Sequence, residues 1–244
     1  MVLKIIHLDE IDSTNSYAKL NFDKFDDRTA ISADTQTAGR GRYDRKWVDL
    51  GSGNLFLSVV LKPSNDLKQV YACIPQYLAV VLSNILRDYG ISPSIKWPND
   101  VLVNDAKIAG ILCESVMRKN IFQGLVLGIG VNLNAQKDDF AKIHDKTATS
   151  LNIELGCEYV DKQVFTEKLL SAFFENYDEF LNKGFVYIKD EYIKSCKFLG
   201  KDICVKGFRE EITGIAKDIS DTGALVLENK GKDVVLTMGD ISGG

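Results

Sequence analysis

The sequence predicts an α+β fold followed by a small all-β module, on three observations. Strand-like and helix-like segments are mixed through the first 195 residues. Apolar residues recur at helical spacing in two long stretches. After Leu199-Gly200 the pattern changes to short β-branched runs between Gly and Asp turns. A chain of 244 residues holds one sizeable core and a small appended module, and a boundary near residue 196 divides it into 1-195 and 196-244. The tail is the size of a small barrel.

Taken in order, Val2 to Leu8 reads as a strand, and Asp12-Ser13-Thr14-Asn15 supplies capping residues for a short helix to Leu20. Thr29 to Gln36 reads as a strand rich in β-branched and small residues. Residues Thr37 to Trp47 show no apolar periodicity and carry glycines among basic residues, which places them on a loop. Asn54 to Lys62 is strand-like, and Val70 to Tyr89 reads as the main core-packing helix, ending at Gly90. Val101 to Val103 and Lys107 to Glu114 flank Asn104-Asp105-Ala106 as two strands flank a hairpin turn. Ile121 to Asn134 is a buried strand. From Asp161 to Cys196 the pattern is helical, with Phe165, Leu169, Leu170, Phe173, Tyr177 and Phe180 as a core stripe. Ile203 to Lys206, Ile212 to Ile219, Ala224 to Leu227 and Val234 to Leu236 are the strands of the tail.

Composition removes several function classes. Lys plus Arg number 30 against 34 Asp plus Glu, a net charge of -4, so the surface as a whole is not built to neutralise nucleic-acid phosphates. Cys73, Cys113, Cys157, Cys196 and Cys204 are far apart, odd in number and without a C-x-x-C pair. They read as reduced, mostly buried thiols rather than a disulfide framework or zinc knuckle. His7 and His144 are the two histidines, and neither has the neighbours of a hydrolytic triad or a histidine-rich metal site, so catalysis rests on positioning and charge. Asp9 and Glu10 follow the N-terminus too soon for a signal peptide, and no apolar run of about eighteen residues occurs, so a cytoplasmic, non-membrane protein is expected.

Three constellations carry chemistry. In the loop, Gly39 and Gly41 allow close backbone approach, while Arg40, Arg42, Arg45 and Lys46 suit carboxylate or phosphate oxygens. It is neither a Walker A loop nor a dinucleotide fingerprint. On local chemistry alone it fits a nucleotide-phosphate clamp or a solvated, RNA-contacting surface loop. Lys96-Trp97-Pro98-Asn99-Asp100 places a rigid turn, an amide and a carboxylate together, with Lys107 on the next strand. Trp97-Pro98 reads equally as a buried turn, and Lys107 as a strand-edge lysine kept for solubility. Gly128 to Asn134 is either a strand end against which a helix packs or a place where Asn132 faces a ribose or phosphate.

Together and in this order, Asp12-Ser13-Thr14-Asn15, the G-R-G-R-x-x-R-x-W run from Gly39 to Trp47, Lys96-Trp97-Pro98-Asn99-Asp100, Lys107-Ile108-Ala109-Gly110-Ile111-Leu112 and Gly128 to Asn132 resemble the biotin protein ligases. These are also called biotin-[acetyl-CoA-carboxylase] ligases or holocarboxylase synthetases. The resemblance covers the chain nearly end to end, and the tail from Lys197 is similar to that family's SH3-like C-terminal domain. It implies a class II aminoacyl-tRNA synthetase-like catalytic fold. It also implies a two-step reaction: biotin and ATP give biotinyl-5′-adenylate, and the biotinyl group then passes to a lysine of a biotin carboxyl carrier protein, a subunit of acetyl-CoA carboxylase or of another biotin-dependent carboxylase. Alignment and neutralisation of phosphate oxygens suffice for the first step, without histidine.

The resemblance further implies residue roles. Ser13, Thr14 and Gln36 hydrogen-bond the ureido head of biotin, with Asn15 in the same motif. Arg40 and Arg42, with the N–H groups around Gly39 and Gly41, hold the biotin carboxylate and acyl phosphate, and Lys107 contacts carboxylate and α-phosphate at the transition state. Arg45 binds the leaving phosphates, Trp47 encloses adenine and Gly110 leaves room for the ring system. Asn99, Asp100 and Asn132 match positions near phosphates, ribose and Mg2+, with Asp100 as the metal ligand. Tyr43-Asp44 departs from the family pattern of an arginine or other residue followed by glycine, and puts an acid among the cations. The chain begins at the catalytic region, without the helix-turn-helix of bifunctional relatives, so operator DNA binding is not expected. Family members occur as monomers and dimers, which leaves a homodimer open. A lipoate-protein ligase of the same superfamily, whose motifs are not found, and a non-catalytic nucleic-acid-binding protein are the alternatives.

Overall fold

The computed structural model describes residues 4–63, 68–143, 147–207 and 211–242. The chain divides into two compact units, residues 1–66 with 103–171 and residues 67–102 with 172–244.

The first unit is built on a mixed sheet. Strands β1 (Ile5–Ile11), β2 (Ala30–Gln36), β3 (Leu55–Leu61), β6 (Ala106–Arg118) and β7 (Ile121–Val131) lie in the order β1-β2-β3-β7-β6. β1 and β2 are parallel, and antiparallel pairs make up the rest of this order. A parallel pair needs a crossover, and helix α1 (Thr14–Leu20) with the 3-10 turn Phe22–Lys24 provides it. Ser13 caps α1 with an extended backbone, its hydroxyl accepting from the Ser16 N–H, as the Asp12-Ser13-Thr14-Asn15 run predicts. Ala18, Phe22 and Phe25 then bury against Ile31, Val60, Val116 and Val126 of the sheet. A fully buried side chain such as Phe22 contributes about 1.5–3 kcal/mol. β3 is buried at all seven positions, so the sheet is covered on both faces there.

Turn chemistry sets the register of β6 and β7. Lys119 and Asn120 both take positive φ, 47° and 64°, the requirement of a two-residue turn whose twist matches its strands. Asn104 and Asp105 do the same at 49° and 62°, so the chain turns where the Asn-Asp pair predicts, between β5 (Asp100–Val103) and β6. Helix α4 (Leu151–Leu155), closed by Gly156 at φ 64°, was not expected, because five residues are too few to display a period.

The second unit contains β4 (Pro93–Lys96) beside β5, and a helical layer. The single helix expected over Val70 to Tyr89 is two helices, α2 (Lys68–Tyr71) and α3 (Ile74–Asp88). Pro75 is the reason: a proline ring clashes with the carbonyl four residues earlier, here that of Tyr71, and is tolerated only in the first turn of the helix that follows. Gly90, at φ 79°, ends α3 as predicted. The helical stretch from Asp161, which belongs to the first unit as far as Ser171, is likewise three helices, α5 (Lys162–Glu175), α6 (Tyr177–Lys183) and α7 (Lys189–Ser195), interrupted at Asn176 and Gly184. All six residues of the expected stripe are core, none more than 2% exposed.

The tail forms a five-stranded antiparallel sheet consistent with an SH3-like domain. Its strands β8 (Asp202–Lys206), β9 (Glu211–Ile219), β10 (Leu225–Asn229), β11 (Lys232–Leu236) and β12 (Asp240–Ser242) lie in the order β11-β10-β9-β8-β12. β12, three residues long, is the one strand of this sheet that periodicity did not mark. All five cysteines are free; Cys73 and Cys196 are buried, Cys113 and Cys204 partly so, and Cys157 is exposed. No helix among the described residues is long and apolar enough to cross a membrane.

Candidate active site

The site of the first unit begins with small residues on one face of its sheet. Gly110 pairs with Gly130, Leu112 with Gly128 and Ser58 with Gly128, so these residues lie side by side across β3, β7 and β6. Side chains from elsewhere occupy the space that three missing Cβ atoms leave. A Cβ on Gly128 would strike Asn15, and one on Gly130 would strike the Trp47 indole. At Gly110 it would lie 2.8 Å from that indole and 2.9 Å from Lys107 Nζ. The strand-end reading of the Gly128 segment thus has substance, since helix α1 packs on Gly128 through Asn15.

A chain of buried polar groups crosses this face. Gln36 Oε1 accepts from the Thr14 N–H at 2.8 Å and lies 3.1 Å from Thr14 Oγ1. Thr14 Oγ1 is 2.8 Å from Ser58 Oγ, which is 2.5 Å from Asn15 Oδ1. Ser58 and Thr14 have one hydroxyl proton each to place among these three oxygen–oxygen contacts. Asn15 Nδ2 then donates to the Leu112 carbonyl at 3.3 Å and to Glu114 Oε2 at 3.0 Å. Thr14 and Asn15 are each 4% exposed and Ser58 is fully buried, so each unmade bond in this chain would carry a desolvation cost. Ser13 is buried beside them as the helix cap.

The basic loop is a closed hairpin. Arg40 and Lys46 form a β-bridge, the Gly41 N–H donates to Arg45 O at 2.7 Å, and the Trp47 N–H donates to Gly39 O at 3.0 Å. Gly39 is required, because a Cβ there would lie 2.5 Å from Trp47 O. At the tip Tyr43 takes φ 54°, and its ring receives two guanidinium groups, Arg42 at 4.9 Å and Arg45 at 5.7 Å from the centroid. Arg42 also donates to Tyr43 Oη at 3.1 Å. The Asp44 side chain, on which the expected neutralisation of the loop depends, and His144 lie outside the described residues.

At the root of the hairpin, Arg40 Nη1 stands 3.1 Å from Glu114 Oε1, which also receives Lys19 Nζ at 2.7 Å. Burial pushes the Glu114 carboxyl up. Hydrogen bonds from Lys19 and Asn15, with the charges of Lys19 and Arg40, outweigh it and hold the group below the usual glutamate range.

Lys107 Nζ lies 5.5 Å from the centre of the Trp47 ring. Its backbone is held on both sides, donating to Thr147 O at 3.0 Å and accepting from the Thr149 N–H at 3.0 Å. Asn132 reinforces this corner through Nδ2, which donates to Thr149 O at 3.0 Å and to Lys107 O at 3.5 Å. Buried Asn54 caps the next turn, its Oδ1 accepting from the N–H groups of Leu133, Asn134 and Ala135.

Of the residues singled out in the sequence, Thr14, Asn15, Gln36, Gly39, Arg40, Trp47, Lys107 and Gly110 therefore gather around one sheet face. Arg42 and Arg45 flank Tyr43, and Asn132 braces the Lys107 backbone. Asn99 and Asp100 belong to the second unit, where Asn99 is buried and Asp100 opens β5. Trp97, also there, is 1% exposed, precedes a cis peptide bond to Pro98 and donates from Nε1 to Gly223 O at 3.0 Å, which is the buried-turn reading. Ser58, Glu114 and Asn54 were missed. The one available signal was Glu114, an acid ending the otherwise apolar run from Ile108.

Comparison with known proteins gives these motifs a common origin. Residues 8–132 match the biotin/lipoate A/B protein ligase family, and residues 198–244 match the biotin protein ligase C terminal domain. The chain belongs to the biotin/lipoate A/B protein ligase family. Among ligase relatives, the biotin--[acetyl-CoA-carboxylase] ligase of Paracoccus denitrificans is 34% identical over 92% of this chain and 94% of that protein. The bifunctional ligase/repressor BirA of Bacillus spizizenii is 32% identical over 93% of this chain and 70% of its own length. The biotin protein ligase of Aquifex aeolicus, solved in complex with biotin and ATP, aligns with TM-score 0.79 and 30% identity over 98% of this chain and 97% of its own.

Proposed function

We propose that this chain is an ATP-dependent biotin protein ligase. It joins the biotin carboxylate to the α-phosphorus of ATP, with pyrophosphate leaving. It then passes the biotinyl group from biotinyl-5′-AMP to a lysine of a biotin carboxyl carrier protein, in a cytoplasmic setting. The observation that carries this reading is the meeting of the Lys107 ammonium and the Trp47 indole over Gly110, beside the hairpin of arginines. The relatives named as biotin ligases support the choice of vitamin.

The roles follow from the chemistry. Attack of a carboxylate on a phosphate ester brings two anions together, so the first need is cations held in advance near the reacting oxygens. Lys107, with its backbone braced by Thr147, Thr149 and Asn132, provides a point charge for the carboxylate and α-phosphate. In this reading Arg40 and Arg42 meet the acyl phosphate, and Arg45 the leaving pyrophosphate. Trp47 offers a flat face to adenine. Ser13, Thr14 and Asn15, buried and polar, with half-buried Gln36, match the ureido head, whose desolvation they offset. Gly110 admits the rings. Asn99 and Asp100 serve phosphates and ribose, and Asn132 acts through the Lys107 backbone that it braces. Asp100 offers the hard oxygen that Mg2+ prefers, and the bound ion would neutralise phosphate charge. We place the domain boundary near residue 196, which the match from residue 198 supports.

The test is pyrophosphate release by purified protein with ATP, magnesium and either biotin or lipoate. Turnover with biotin is expected. Turnover with lipoate and none with biotin overturns the substrate assignment.

A further inference from the structure

We propose that Glu114 is a positioning residue for adenylation, its one carboxylate tying the root of the arginine hairpin to the helix that carries Thr14 and Asn15. The inference rests on the ligase reading above and concerns a residue outside every motif used for it.

Glu114 sits on β6 with its side chain 14% exposed and receives three partners from two other elements. Lys19 reaches Oε1 at 2.7 Å and Asn15 reaches Oε2 at 3.0 Å, both from α1. Arg40 Nη1 lies 3.1 Å from Oε1 and 3.3 Å from Oε2, from the hairpin. A largely buried carboxylate that accepts from two cations and an amide is directional as well as attractive, so it holds both elements in one arrangement. Arg40 follows Gly39, whose carbonyl closes the hairpin with the Trp47 N–H. Anchoring Arg40 therefore sets where Trp47 meets Gly110 and Gly130. On the other side Asn15 holds Ser58, and Ser58 holds Thr14 beside Gln36. Glu114 thus links the part of the site read as binding the vitamin head to the part read as gathering charge. It acts through Arg40 and Asn15.

The test is E114Q, which keeps the shape and removes the charge. In the ligand-free protein, trypsin should cut between residues 40 and 46 about tenfold faster than in wild type. The KM for biotin should rise about tenfold while kcat changes by less than about threefold. The double variant E114Q/R40M should raise KM by less than the product of the two single effects, because Glu114 acts in part through Arg40. Unchanged trypsin cleavage, unchanged KM or additive effects overturn the inference. Should E114Q fail to fold, E114D, too short to span Arg40 and Asn15 together, should give a smaller split of the same sign, and wild-type behaviour there overturns it. A wild-type protein that releases no pyrophosphate with biotin overturns the ligase reading instead. An active wild type beside an unaltered variant overturns this inference alone.

Discussion

The two tryptophans of this chain stand in segments that look alike as sequence, each next to small or rigid residues and charged groups, yet they have opposite roles. Trp97 is 1% exposed, and its one polar atom is consumed by the carbonyl of Gly223. Trp47 is half-buried, lies over two glycines and has the Lys107 ammonium at its face. An indole whose polar edge is satisfied inside its own unit is structural. One that rests on a surface cleared of Cβ atoms, beside a cation and an arginine hairpin, keeps a face that a ligand can use.

That contrast can be broken in four ways. The largest effect belongs to Trp97→Ala, which should lower stability by about 3–5 kcal/mol, whereas Trp47→Ala costs a fraction of that and raises the KM for ATP. Denaturant unfolding of both variants decides; equal losses would remove the distinction. Next, Lys107→Ala should slow adenylate formation by about 10²–10³ while biotin affinity changes far less, since its charge matters most as negative charge accumulates. Burst kinetics alongside calorimetry would read this, and parallel loss in both would deny the role. Third, Gly130→Ala should push the Trp47 ring off the sheet, seen as a red shift of emission and about a tenfold weaker ATP response. An unchanged spectrum would mean that the indole does not rest there.

The smallest effect concerns pH. The Glu114 carboxyl titrates lower in the folded chain than in the unfolded one, so its contribution to stability is fully present above the ordinary glutamate value and is lost as pH falls below it toward the folded value. The gap in Tm between wild type and E114Q should accordingly narrow on acidification, and a gap that widens would place the charge elsewhere.

Much of the fold was legible because its causes are local. Ser13 as a cap, Gly90 as a helix end, the Asn104-Asp105 turn and the aromatic stripe from Phe165 to Phe180 depend on neighbours within a few residues. The merged helix over Val70 to Tyr89 failed at Pro75, a local signal outweighed by the apolar period on either side. Helix α4 and strand β12 were too short to carry any period.

The candidate site divides differently. Its motifs stood out because glycine, arginine and lysine combinations suit anions wherever they occur, and their order along the chain matched one family. Glu114 and Ser58 stayed hidden. A serine in one strand and an acid within another acquire meaning only from partners 43 and 74 residues away.

From the residues alone came the kinds of group available and the short-range geometry of each segment, since backbone preference and side-chain period act over one or two turns. Only the tertiary structure decided which groups share a carboxylate, which indole is buried and which glycines lie opposite one another. Sheet register and burial set those distances, and they join positions that no local pattern relates.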